Sequence, residues 1–168
     1  VPRSARRASS SSSRGLTLIE LLVTLVILSI LAAAALPYAE MTVRREKELE
    51  LRRALRELRS AIDAFNEDWK AGRISKAASA ASEDGYPKSL QLLVEGAETG
   101  DAKGGKRKYL RRVPRDPFAD AARPGAEHWV VLGYQDSADT IVWGGRDVYD
   151  VHSAAQGAAL DGSRYRDW

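Results

Sequence analysis

Between Leu16 and Leu36 the chain is apolar at every position except Thr17, Glu20, Thr24 and Ser29. Some twenty such residues, at ~1.5 Å of rise each, match the ~30 Å hydrocarbon core of a bilayer. The pattern therefore predicts a membrane-crossing helix over residues 16–37. Beyond Pro37 the character changes, and Leu51, Leu55, Leu58, Ile62, Phe65 and Trp69 recur at alternating steps of four and three. That spacing draws one apolar stripe along an amphipathic helix over residues 38–72. The other faces carry Arg44, Arg45, Glu46, Lys47, Glu48, Arg52, Arg53 and Glu57 and are expected to be solvated, with Glu48 and Arg52 paired at i, i+4.

Gly72 weakens the helix, and residues 75–85 have the composition of a loop. A short amphipathic helix is predicted from Ser89 to Val94, followed by a mobile loop from Ala97 to Lys108. Three β-type runs come next: Trp129–Tyr134, Thr140–Trp143 and Val148–Val151, separated by turn residues such as Asp136 and the pair Gly144, Gly145. They predict a small antiparallel sheet whose exposed face the amphipathic stripe covers, with Trp69, Trp129 and Trp143 in the core. The expected class is α+β, with residues 73–168 as the C-terminal domain.

The first fourteen residues are serine- and arginine-rich and lack the apolar side chains needed to fold, so residues 1–15 read as a leader. An ordinary secretory signal also joins a basic start to an apolar core, but its core is shorter, about 7–15 residues. The formal charge of +3 comes from that leader. Removing Arg3, Arg6, Arg7 and Arg14 from the 26 basic residues leaves 22 against 23 acidic ones, so the body is no general polyanion binder. With no cysteine there is neither a disulfide framework nor a thiolate metal site, and His128 and His152 are too few for a histidine-based catalytic metal. No Ser, His, Asp constellation is visible, and His152 reads as a half-buried packing residue. The chain is not expected to be an enzyme.

The most informative stretch is Gly15-Leu16-Thr17-Leu18-Ile19-Glu20-Leu21-Leu22-Val23: a basic leader ending in glycine, then an apolar helix with one carboxylate at its fifth position. An ionised carboxylate in such a helix is costly without a partner. This stretch resembles the type IV pilin and pseudopilin family. The resemblance implies a pilin-like fold, cleavage by a prepilin peptidase between Gly15 and Leu16, N-methylation of Leu16, and assembly in which Glu20 meets the α-amine of Leu16. Pro37, twenty-second from Leu16, falls where such helices commonly carry proline. Leu16 stands where the family usually has phenylalanine. Arg44, Arg45 and Lys47 flank the far end of the apolar run, so orientation in an inner membrane, with the C-terminal domain in the periplasm, comes from the resemblance and not from charge counting.

Asp84-Gly85-Tyr86-Pro87, then Leu90, Leu93 and Val94, then Tyr109-Leu110-Arg111-Arg112-Val113-Pro114-Arg115-Asp116-Pro117 resemble the major pseudopilin of type II secretion. That resemblance implies a structural subunit of a periplasmic filament, with further copies, minor pseudopilins and an inner-membrane assembly platform as partners. A type IV pilin for adhesion, motility or DNA uptake is the alternative, although such pilins usually close their C-terminal loop with a cysteine pair. Major pseudopilins often bind calcium in that loop, and Asp150, Asp161 and Asp167 are the candidate ligands, with Asp147 nearby in the chain. Against this, the chain reads Ala155-Gln156-Gly157-Ala158 where the family has glycine-alanine-aspartate-glycine, and Asp161 capping its own turn is the competing role.

Overall fold

The structure is a computed structural model that describes residues 15–75, 80–100, 104–120, 122–137, 140 and 142–168. The leader expected over residues 1–15 thus lies outside the described residues apart from Gly15. The chain falls into two compact units, Val1–Thr42 and Val43–Trp168. Helix α1 runs from Leu18 to Lys70 and contains Pro37.

In the second unit the predicted stripe is the core. Leu51, Leu55, Leu58, Ile62 and Phe65 are fully buried, joined by Leu90 and Leu93, Leu110, Trp129, Val148, Val151 and Tyr165. Trp69, the last of the stripe, packs partly buried against them. Helix α1 stops where Gly72 takes a left-handed φ of 71°, a conformation that costs other residues a steric penalty. Helix α2, Leu90–Glu95, starts on Ser89, whose hydroxyl accepts from the Leu92 N–H.

Strands β1 (Ala97–Glu98) and β2 (Lys106–Arg107) pair antiparallel, so part of the expected loop 97–108 is a short ladder. Strands β3 (Trp129–Leu132) and β4 (Asp150–Ser153) form the second antiparallel pair, with Trp129 opposite Ser153 and Leu132 opposite Asp150. These differ from the predicted strands in three ways, each traceable to specific hydrogen bonds. Gly133 turns away because its N–H donates to Asp136, ending β3 two residues early. The Val148 N–H goes to the Pro87 carbonyl, shifting β4 toward the C-terminus. Thr140, Val142 and Trp143 carry no strand among the described residues, since the Thr140 hydroxyl satisfies its own neighbourhood and the Gly144 N–H is taken by Asp136. Trp143 is accordingly 39 % exposed, not core.

One pairing on the polar face of α1 also departs from expectation. Glu48 pairs with Arg44 at 3.8 Å and not with Arg52, and it accepts from the Leu160 N–H and the Tyr165 hydroxyl. Arg52 reaches Asp161 at 3.2 Å and lies 4.0 Å from the Trp168 ring centroid. Arg44, Arg45, Glu46, Lys47, Arg52, Arg53 and Glu57 are nonetheless exposed, as expected of a solvated face, and Glu48 alone of the eight is partly buried. His152 is half-buried, as expected, and burial holds its imidazole below the usual range.

Candidate functional site: the N-terminal apolar helix

Gly15, Leu16 and Thr17 lie outside the helix, which begins at Leu18. The Thr17 side chain fixes that start: its Oγ1 accepts from the Glu20 N–H at 3.3 Å, while its carbonyl accepts from the Leu21 N–H at 3.1 Å. Thr17 is thus the N-cap and Glu20 the third helical residue, the T-x-x-E spacing of a capping box. The sequence reading treated Thr17 only as a polar exception, though this spacing before an apolar run was available to it.

Every apolar side chain from Leu18 to Leu31 that is large enough to matter is about half exposed or more, and Leu16 is 75 % exposed. The helix is long and apolar enough to cross a membrane. Its hydroxyls present no obstacle, because Thr24 donates to the Leu21 carbonyl at 2.9 Å and Ser29 to the Leu25 carbonyl at 2.7 Å. One polar side chain is left over. Among the described residues the Glu20 carboxylate has neither a hydrogen bond nor an ion pair, although its position in the first turn favours a negative charge.

Residues 10–36 match the prokaryotic N-terminal methylation motif. This prepilin-type motif supports a type IV pilin-like protein, processed by a prepilin peptidase and assembling in a pilus-like manner, and with the long apolar helix it is consistent with membrane anchoring. The matched stretch includes Gly15, Leu16, Thr17 and Glu20 and ends one residue before Pro37. Comparison with curated proteins and with solved structures gives no match. The α+β architecture, a long N-terminal helix followed by two small antiparallel pairs, agrees with a pilin-like fold.

The three candidate calcium ligands are not brought together as a cradle. Asp150 Oδ1 lies 2.7 Å from Arg59 Nε. Asp161 Oδ1 accepts from the Ser163 N–H at 2.9 Å and from its hydroxyl, closing its own turn, while Oδ2 faces Arg52. Those Ser163 bonds, with Arg52, hold its carboxyl below the usual range. Asp167 pairs with Arg164 at 2.9 Å and more loosely with Arg166. Calcium needs six to eight oxygen donors at ~2.3–2.6 Å. Carboxylates each committed to an arginine do not fit that need, and among the described residues no group of three or more His, Cys, Asp or Glu gathers for a metal. Asp147 is spent inside the fold, accepting from the Tyr134 N–H at 2.9 Å.

Proposed function

We propose that the chain is a structural subunit of a periplasmic pseudopilus in type II protein secretion, cut after Gly15 by a prepilin peptidase and assembled through its N-terminal helix. The observation that carries the reading is the Glu20 carboxylate, the one polar side chain between Leu16 and Leu31 that its own helix leaves unsatisfied. In an apolar medium such a group needs a cation, and cleavage creates one: the α-amine of Leu16, four residues away in sequence on the same chain and equally present on every copy. A neighbour's amine on Glu20 fixes how far one helix sits along another, and repetition of that heterologous contact builds a filament.

The role is mechanical and not catalytic. Subunits wait in the inner membrane with the domain of residues 43–168 in the periplasm, and they join the filament base at an assembly platform, with minor pseudopilins at the tip. The segment Tyr109–Pro117 favours type II secretion over a type IV pilus, by resemblance.

Intact mass of the protein from membranes, with and without a prepilin peptidase, tests the first step. A methylated N-terminus at Leu16 that depends on the peptidase is the expected result. An uncut chain in both samples would overturn the reading. Export of a secreted enzyme, restored by this chain in a strain lacking its major pseudopilin, separates secretion from a pilus role.

A further inference from the structure

We infer that Thr17 is a positioning residue for leader removal: its cap stops the helix at Leu18 and leaves the Gly15–Leu16 peptide outside it. The inference rests on the proposed processing and adds to it a reason why the bond is open to attack. Hydrolysis adds water across that amide, breaks the C–N bond, and leaves a carboxylate on Gly15 and an amine on Leu16. For this the carbonyl must be reachable from one side and free of competing donors. A carbonyl within a helix is neither, because the N–H four residues on holds it and the side chains of the turn wrap it.

The geometry here meets the requirement. Among the described residues, no backbone N–H donates to the carbonyl of Gly15 or Leu16, and the first such bond is Leu21 N–H to Thr17. The N–H that would reach back to Leu16, that of Glu20, is taken by the Thr17 hydroxyl. Among the described residues, chain neighbours apart, nothing lies within 4 Å of the point where a Cβ on Gly15 would sit. An apolar helix of this length tends to propagate, and the sequence offers other caps upstream in Ser12 and Ser13, about one turn before Thr17. Without the Thr17 cap those serines compete, and a start there draws Gly15 and Leu16 into the first turn.

The test uses the full-length precursor in proteoliposomes with a purified prepilin peptidase, comparing wild type with Thr17→Val, Thr17→Ser and Thr17→Asn. Valine keeps the shape and loses the acceptor. Serine keeps the hydroxyl, and asparagine caps equally well while sharing neither the hydroxyl nor the methyl of threonine. The expected result is a fall of about fivefold in kcat/KM for Thr17→Val, the equilibrium factor of a typical N-cap, with Thr17→Ser and Thr17→Asn within twofold of wild type. Backbone chemical shifts of residues 13–20 in micelles should move the helix start upstream in the valine variant alone. Equal cleavage of Thr17→Val and wild type would overturn the inference. So would a slow Thr17→Asn, since the peptidase would then be reading threonine itself. If wild type is not cut at all, the processing reading falls together with it.

Discussion

Arg59 on α1 lies with its Nε 2.7 Å from Asp150 Oδ1, and its Nη2 donates to the Val151 carbonyl at 3.1 Å. A single guanidinium therefore joins the helix to both the side chain and the backbone of β4, a use that its planar fork permits and an ammonium does not. Arg59→Ala leaves the half-buried Asp150 without its guanidinium, with the Val151 N–H at 2.7 Å and His152 Nε2 at 3.7 Å still beside it, and frees the Val151 carbonyl from that donor. The expected cost is about 1–2 kcal/mol, read from urea denaturation of the residue 43–168 unit within the full chain in detergent. Arg59→Lys should recover only part of it, because one ammonium cannot serve both acceptors with the same geometry.

The same pairing bears on calcium. With Asp150 on Arg59, Asp161 on Ser163 and Arg52, and Asp167 on Arg164, a cation would have to displace three arginines to collect its donors. The melting temperature in millimolar calcium is expected to equal that in a chelator. A rise of several degrees that Asp161→Asn abolishes would return the carboxylates to the role that the family resemblance implied.

Gly85 tests the packing between the loop and the helix end. It has a φ of +82°, and a Cβ there would come within 2.3 Å of the Trp69 ring. Gly85→Ala thus combines a left-handed backbone with a collision against a large, partly buried side chain, and about 2 kcal/mol or more of destabilisation is expected. Trimming the obstacle with Trp69→Leu should make the alanine less costly in the double variant than in the single, by removing the collision while leaving the backbone strain.

How far the sequence could be read depended on the kind of signal. The stripe from Leu51 to Phe65 was legible because burial on one helix face imposes a period of its own, and the Gly15 to Glu20 motif because its residue types are rare in that combination. The strands were harder to place. Their ends are set by single hydrogen bonds: β3 ends on a local one, Asp136 on Gly133 three residues away, while β4 is placed by Pro87 on Val148, a long-range partner that leaves no local pattern. The polar face of α1 is solvated as its sequence implies, and only the partner of Glu48 was not legible: nothing near Glu48 in sequence announces Tyr165, 117 residues later. In the candidate site the missed residue was Thr17, whose acceptor role is local and was readable from its distance to Glu20.

Asp68 makes stability depend on acid. Its residue is 2 % exposed, with Oδ1 2.6 Å from Arg73, Oδ2 2.8 Å from the Tyr109 hydroxyl, and Arg107 also in contact. Burial alone would raise its pKa, but the Tyr109 hydrogen bond and the two guanidiniums outweigh it and hold the carboxyl below the usual range. The unfolded chain therefore binds this proton at a higher pH than the folded one. The contribution is complete above the ordinary carboxylate pKa of about 3.9 and is lost as pH falls from there through the depressed value. Denaturation midpoints measured from pH 6 down to pH 3 should fall in the last stretch, and Asp68→Asn should begin less stable and show a shallower fall. An unchanged slope in that variant would assign the acid sensitivity to other carboxylates.

Glu20 separates processing from assembly. Its side chain takes no part in the Thr17 cap, which uses the Glu20 backbone N–H, so Glu20→Val keeps the helix start and removes only the carboxylate. Valine also lowers the cost of placing this turn in hydrocarbon, so the variant should be cleaved and inserted as well as wild type. What it lacks is the acceptor for a neighbour's α-amine, and multimers of the chain trapped by cross-linking in the cell envelope should fall about tenfold relative to wild type. Glu20→Gln keeps the shape and the hydrogen-bonding oxygen without the charge. If glutamine assembles as well as glutamate, the contact works through geometry alone; if it fails like valine, the charge on Glu20 is what holds the helices in register.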